Sequence, residues 1–342
     1  MAFTKYLLPA LAAAGTALGT PDPFPSIISR SHKIETKQDK MCVGEILEEH
    51  EGLTNVFQRS AQCDGPTTTI QNSGDAQALS ICETIKGDVV IASTASAAIA
   101  LDGVQQITGD LTCQNAGQLT ELSADQLGTI GGRFYLNNLT ILSTLAFSSL
   151  NDVHEIYWVG LPALQGLNFP QGVSKAQNVL ISNTQLNTLS GIELETVGNF
   201  DIDNNPYLST VNVNEIATIT GSLTVSANYK NLEIVFDNLE AANNMTFRNV
   251  SSVIMPSLSQ VNGSLGFYSD TFQSFSAPNL TATGGGLAFV DSPNLSNISM
   301  PILTEIGGGF LIANNTNLKS IDGFPELQTV VGALDFAGTF NT

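Results

Sequence analysis

Asp201 and Asp203, alternating with Phe200 and Ile202, are the carboxylate pair whose spacing suggests chemistry. A glycoside hydrolase needs two carboxyl groups at a fixed separation on either side of the scissile bond. Strand alternation instead sends both carboxylates to the same outward face while Phe200 and Ile202 point inward, which fits a solvated face better than opposed catalytic groups. A polysaccharide lyase would need Lys or Arg to stabilise an enolate-like intermediate. From residue 64 onward the basic residues are Lys86, Arg133, Lys175, Lys230, Arg248 and Lys319, and His154 is the one histidine. Gly284 to Gly286 could suggest a phosphate loop, but the following Lys and helix are missing, so a corner of the chain explains them better. No catalytic residue, cofactor site or metal site is expected.

Tyr157 and Trp158 are the most distinctive local feature. Ile156 and Trp158 are expected to face inward, with Trp158 in the core. Tyr157 and Tyr135, at corresponding outward positions, would stack into an aromatic pair. The pair is open to two readings, cross-strand packing or a contact for a sugar ring or protein partner. Tyr268 beside Phe267 repeats the theme weakly. Four cysteines, Cys42, Cys63, Cys82 and Cys113, allow three pairings. All lie in the first third, where a disulfide would close an open end. Cys63 and Cys82 flank the first strand and are the preferred pair. Cys113 takes an inward strand position as a small core residue. Wide spacings and the lack of a histidine cluster argue against zinc.

These residues are positioned by a repeat. Apolar residues open successive strands at Val89, Leu111, Phe134, Ile156, Val179, Phe200, Leu223, Met245, Leu265, Leu287, Phe310 and Leu334, spaced 20 to 24 residues apart. Such a period marks a solenoid, in which one unit cannot bury its own apolar face and must stack on its neighbours. Leu287 and Phe289, then Leu295 and Ile298, then Leu303 and Ile306 give three short apolar segments in one unit. The expected fold is all-β, a three-sided solenoid of about twelve rungs, because helical periodicity between the segments is weak. Gly109, Gly132, Gly198, Gly221, Gly263, Gly285 and Gly308 sit two residues before the strand, where a corner with positive φ is expected. At the other end Asn115, Asn138, Asn183, Asn204, Asn249 and Asn314 suit a similar backbone. Stacked and turned inward, they would form a ladder bonded to the turns.

A net charge of −19 disfavours nucleic acid and anionic membrane surfaces as partners. Residues 1–19, with Lys5 ahead of an apolar run, read as a secretory signal peptide too short to span a bilayer. Eight Asn-x-Ser/Thr acceptors agree with secretion: Asn138, Asn244, Asn249, Asn262, Asn279, Asn294, Asn297 and Asn314. Inward-turned ladder asparagines at Asn138, Asn249 and Asn314 could not carry a glycan, so the other five are preferred. Residues 20–62 carry no repeat and read either as a disordered or loosely helical segment or as a gene-model artefact. Residues 63–342 form the solenoid. Its last unit stops without a polar cap, so the chain is expected to continue beyond Thr342.

Repeats of the form Gly-x-Leu-x-Val-x-x-Asn, followed by Leu-x-x-Ile and Pro-x-Leu-x-x-Ile, carry a resemblance, as do the stretches Thr69 to Ile91 and Leu101 to Leu111. Together with the leader and the early cysteine pair, they resemble fungal GPI-anchored cell-wall organisation proteins, which are related to sporulation-specific wall proteins. The repeats are similar to the receptor L domains of insulin and epidermal growth factor receptors, a leucine-rich-repeat-like architecture. The resemblance covers roughly Cys63 to Thr342. It implies a right-handed β-helix and a glycoprotein at the outer plasma membrane face or in the wall, with no catalytic residues. Wall polysaccharide or wall proteins would be its partners, and a GPI anchor its membrane link. The chain departs from the family pattern in residues 20–62 and in lacking the Ser-rich stalk and the attachment signal such an anchor requires. The expectation is a secreted, non-enzymatic surface glycoprotein supporting wall organisation. A receptor-like ligand-binding ectodomain and a β-helix polysaccharide-modifying enzyme are the alternatives.

Overall fold

The twelve strand-opening residues from Val89 to Leu334 stand in unbroken register, each the Cα partner of the next across parallel strand pairs. The computed structural model describes residues 62–340, Asn214 excepted. The leader reading of residues 1–19, nearly all of segment 20–62, and Cys42 lie outside the described residues. The described chain is a β-solenoid of about 12 turns. Strand neighbours in such a stack lie about 4.8 Å apart, so each side chain sits directly over its counterpart one turn away.

Three apolar segments per turn make the walls. The opening strands, such as Leu111–Gln114, Asn199–Asp203, Leu265–Tyr268 and Phe310–Ala313, build one continuous face. Middle segments form shorter stacks, including Gln118–Ser123 with Thr144–Ala146 and Glu233–Val235 with Ser252–Ile254. Third segments, such as Gln260–Val261 and Ala282–Thr283, pair in their own column. In several turns the third segment of one rung runs into the opening strand of the next as a single bent strand, as in Asp152–Leu161 and Thr218–Ser226. Register shifts mark the bend, between Val153 and Glu155 and between Ile219 and Ser222.

The glycines at that bend correct the expectation of positive φ. Among the described residues the glycines with positive φ are Gly87, Gly103, Gly160, Gly172 and Gly191. At Gly285 a Cβ would lie 2.8 Å from the carbonyl carbon of Gly263, and at Gly308 it would lie 2.7 Å from that of Gly285. Close approach of stacked main chains excludes a side chain there, whatever the dihedral angle. The asparagines do have positive φ: Asn115 at 56°, Asn138 at 53°, Asn183 at 56°, Asn204 at 51°, Asn249 at 59° and Asn314 at 61°. Asparagine tolerates this conformation because its short amide bonds locally.

The interior is largely aliphatic, with aromatic groups in several rungs. Trp158 packs edge-on with Phe134 at 5.5 Å and Phe169 at 5.9 Å. Phe247, Phe267 and Phe289 stack in consecutive rungs at 5.2 and 4.9 Å. At the N-terminal end the short helix Ser73–Ala78 starts at Asn72, whose Oδ1 accepts from the Gly74 and Asp75 amides at 2.9 and 3.2 Å. It buries Ala76 over the first rung. A disulfide joins Cys63 to Cys82 beside it, with Cα atoms 5.6 Å apart.

Cys113 is fully buried in its opening strand, and burial pushes its thiol up to about 12. A thiol without thiolate character is a poor nucleophile. In a Cys42→Ser background, Cys113 is expected to resist alkylation at pH 8 until the chain unfolds. Labelling faster than unfolding would contradict this placement.

Candidate functional site

The continuous opening-strand face carries Tyr135, Tyr157, Asp201, Asp203 and Tyr268. Tyr135 and Tyr157 are register partners, with ring centroids 4.7 Å apart and planes within 15°. That separation matches the rung spacing, so the ring faces are turned toward each other and edges point outward. The Asn137 amide donates to the Tyr135 hydroxyl at 2.9 Å. The Arg133 guanidinium lies 5.7 Å from the Tyr135 ring centroid and pairs with Asp110 Oδ2 at 2.9 Å. Both tyrosines are half-buried. The next residues along the column are Leu180 and then Asp201.

Asp201 and Asp203 lie on one strand and project from an open sheet. Burial, and secondarily the charge of Asp203, raises the Asp201 carboxyl above its ordinary range. Asp203 Oδ1 is buried without a hydrogen-bond partner. The two groups stand side by side, about 7 Å apart along the strand, and do not face each other across a cleft. Among the described residues no group of three or more His, Cys, Asp and Glu is gathered. Farther along, Tyr268 lies across Gly266, and the Arg248 guanidinium is 4.2 Å from the Tyr268 ring centroid.

The corner asparagines correct a second expectation, because they face solvent. Neighbours still bond: Asn138 Nδ2 donates to Asn115 Oδ1 at 2.8 Å, Asn314 Nδ2 to Asp291 Oδ1 at 2.9 Å, and Asn204 to Asn183. All eight acceptor asparagines are exposed, so burial no longer separates Asn138, Asn249 and Asn314 from the other five. Turn hydroxyls hook successive rungs together in the same way. Thr281 Oγ1 donates to the Ser259 carbonyl at 3.0 Å, and Thr304 Oγ1 to the Thr281 carbonyl at 3.1 Å.

The inward ladder is one residue later, at a column the sequence reading missed. Thr184, Asn205, Asp270, Ser292 and Asn315 are all buried. Asn205 Oδ1 accepts from the Thr184 amide at 3.1 Å, and Asn315 Oδ1 from the Ser292 amide at 2.9 Å. Its sequence signal is a second polar residue straight after the corner residue, as in Asn204-Asn205, Ser269-Asp270 and Asn314-Asn315.

These features define a class: a β-solenoid whose polar side chains brace its rungs and leave one long, open, aromatic-bearing face. The family described as Ecm33, a GPI-anchored cell wall organization protein, matches residues 1–22. A cell surface GPI-anchored protein of Arthroderma benhamiae is 43% identical over 342 residues, covering 100% of this chain and 77% of its own length. Protein ecm33 of Aspergillus fumigatus is 42% identical over 87% of this chain and 65% of its own length. Cell wall protein ecm33 of Schizosaccharomyces pombe is 32% identical over 70% of this chain and 58% of its own length. The chain belongs to this Ecm33 family of GPI-anchored cell-surface and cell-wall proteins of fungi. It spans just under two thirds of the Aspergillus relative and less of the fission-yeast one. No solved structure matches it.

Proposed function

We propose that the chain is a non-enzymatic, N-glycosylated scaffold at the outer face of the plasma membrane and in the cell wall, where it supports wall organisation and integrity. One observation carries the reading: among the described residues, polar side chains of many rungs are spent on rung-to-rung bonds, and no group of three or more His, Cys, Asp and Glu that could hold a metal is found. The names of the relatives support a wall setting, and a GPI anchor is the membrane link proposed from them. The leader at residues 1–19, the Cys63–Cys82 bridge and the eight exposed acceptor asparagines belong to the same proposal. Wall polysaccharide or wall proteins are the proposed contacts. A receptor-like ectodomain is the second reading, favoured by the open face around Tyr135, Tyr157 and Leu180. An enzyme acting through Asp201 and Asp203 has less support, because the two carboxylates do not oppose each other.

A deletion strain tests this. Hypersensitivity to chitin- and glucan-binding dyes is expected, with full rescue by the full-length gene. Equal rescue is expected from Asp201→Asn/Asp203→Asn, since removing two carboxylates leaves a scaffold intact. Loss of rescue by a correctly folded double variant would favour the enzyme reading. Normal growth of the deletion strain under every wall stress would remove the wall role.

A further inference from the structure

The buried polar column obeys a two-bond rule that Asp270 cannot keep as a carboxylate. At each asparagine of the column, Oδ1 accepts from a main-chain amide one rung earlier, while Nδ2 donates to a carbonyl of that earlier rung. Asn205 takes the Thr184 amide and donates to the Ile181 carbonyl at 3.0 Å. Asn228, half-buried at the same position of the next rung, takes the Asn205 amide and donates to the Ile202 carbonyl at 2.8 Å. Asn315 takes the Ser292 amide and donates to the Phe289 carbonyl at 2.9 Å. The accepting carbonyl is always that of the third residue in the opening strand.

Asp270 occupies the same position. Its Oδ1 accepts from the Val250 amide at 2.8 Å, as the rule requires. Its Oδ2, in the place of the amide nitrogen, is buried and has no partner. Phe247 is the register counterpart of Phe267 and so of Phe289, and its carbonyl is the acceptor the rule assigns to Asp270. An ionised Oδ2 has no hydrogen to give. A protonated one has a single O–H and reproduces the asparagine pattern.

We propose that Asp270 is a proton-dependent clasp between rungs: its neutral carboxyl donates from Oδ2 to the Phe247 carbonyl in acid, and loss of that proton loosens the corner as the pH rises to neutral. The carboxyl is fully buried, and burial pushes its pKa up to about 7. The Val250 and Tyr268 amides and the Arg248 cation act in the opposite direction. Arg248 comes from the preceding rung. Asp291 stands at the exposed corner of the following one, and the Tyr268 phenol on the same strand lies outward over Gly266. The other ladder members around Asp270, Ser292 and Asn315, are neutral.

The sign follows from proton counts. Below the ordinary carboxyl range near 4, folded and unfolded chains both hold the proton and the clasp is closed. Between about 4 and about 7 the folded chain holds a proton the unfolded chain has released, so stability falls as pH rises. Above about 7 the loss is complete.

Amide hydrogen exchange at Val250 and Asp270 in the full chain, corrected for intrinsic rates, reads this directly. The opening constant is expected to rise by up to about tenfold per pH unit between pH 4.5 and 7, and to level off above that. Asp270→Asn should flatten the profile and keep these amides protected at pH 7.5. Asp291→Asn should leave the wild-type profile unchanged. A flat wild-type profile, or lost protection in a folded Asp270→Asn, would overturn the clasp. Should that variant not fold, infrared spectra of the wild type decide. A buried protonated carboxyl present at pH 5.5 and lost by pH 8.5 supports the proposal, and no such band at pH 5.5 overturns it.

Discussion

Trp158→Ala is expected to cost about 3–5 kcal/mol, the range for emptying a fully buried aromatic site. The indole is 0% exposed and lies between Phe134 and Phe169, which are themselves buried and leave little freedom to collapse into the space. Its Nε1–H has no hydrogen-bond acceptor. Trp158→Phe therefore loses volume and ring contacts but no hydrogen bond, and a cost of about 1–2 kcal/mol is expected. In a solenoid each rung contacts only its neighbours. The damage should concentrate in the rungs carrying Phe134, Trp158 and Phe169, while amides around Phe289 keep most of their protection. The single tryptophan is the residue removed, so unfolding must be followed by circular dichroism and hydrogen exchange. Equal costs for Ala and Phe would show that the site is not tightly packed.

Gly308→Val should be of similar size, for the opposite reason. A Cβ at Gly308 would sit 2.6 Å from the Gly286 nitrogen and 2.7 Å from the Gly285 carbonyl carbon, both main-chain atoms of the rung before. Main chain in a hydrogen-bonded ladder cannot step aside without breaking bonds, and the Gly308 amide itself donates to the Gly285 carbonyl at 3.0 Å. Forced overpacking costs about 1–3 kcal/mol in side-chain cores, and more is expected where the obstacle is backbone. Gly308→Ala should already show most of the effect, because the first carbon makes the clash. Gly166→Ala is the matched control: nothing lies within 4 Å of its Cβ position, and a neutral or slightly stabilising result is expected. Gly308→Ala with unchanged thermal stability would mean that the stack is looser than the glycine column requires.

Much of the architecture is legible along the chain. Val89, Leu111, Phe134 and their nine successors mark the rungs because every rung must turn the same apolar residue inward. Trp158 could be placed inside and Tyr157 outside from alternation alone, and the asparagine corners from the tolerance of that residue for positive φ. The glycine bend was legible as a bend but not in its cause. A short residue before a strand signals equally a left-handed dihedral or a neighbour that comes too close, and the neighbour is one rung, 19 to 23 residues, away. The inward ladder was misassigned by one residue for a related reason. Asn204 and Asn205 are chemically identical, and the corner turns the first to solvent and the second to the core.

The sequence by itself determined what depends on local pattern: the period, the three apolar segments, the inward positions, the asparagine corners and the acidic surface. These follow from alternation, turn chemistry and composition, which need no knowledge of neighbours. Tertiary structure alone decided what depends on the contact between one turn and the next. Stacking at about 4.8 Å made glycines a necessity of close approach. It also turned Ser, Thr and Asn of the turns into braces, and left one oxygen of Asp270 where a hydrogen belongs. Distances between rungs are set by the main-chain ladder, and they exist only once the rungs are stacked.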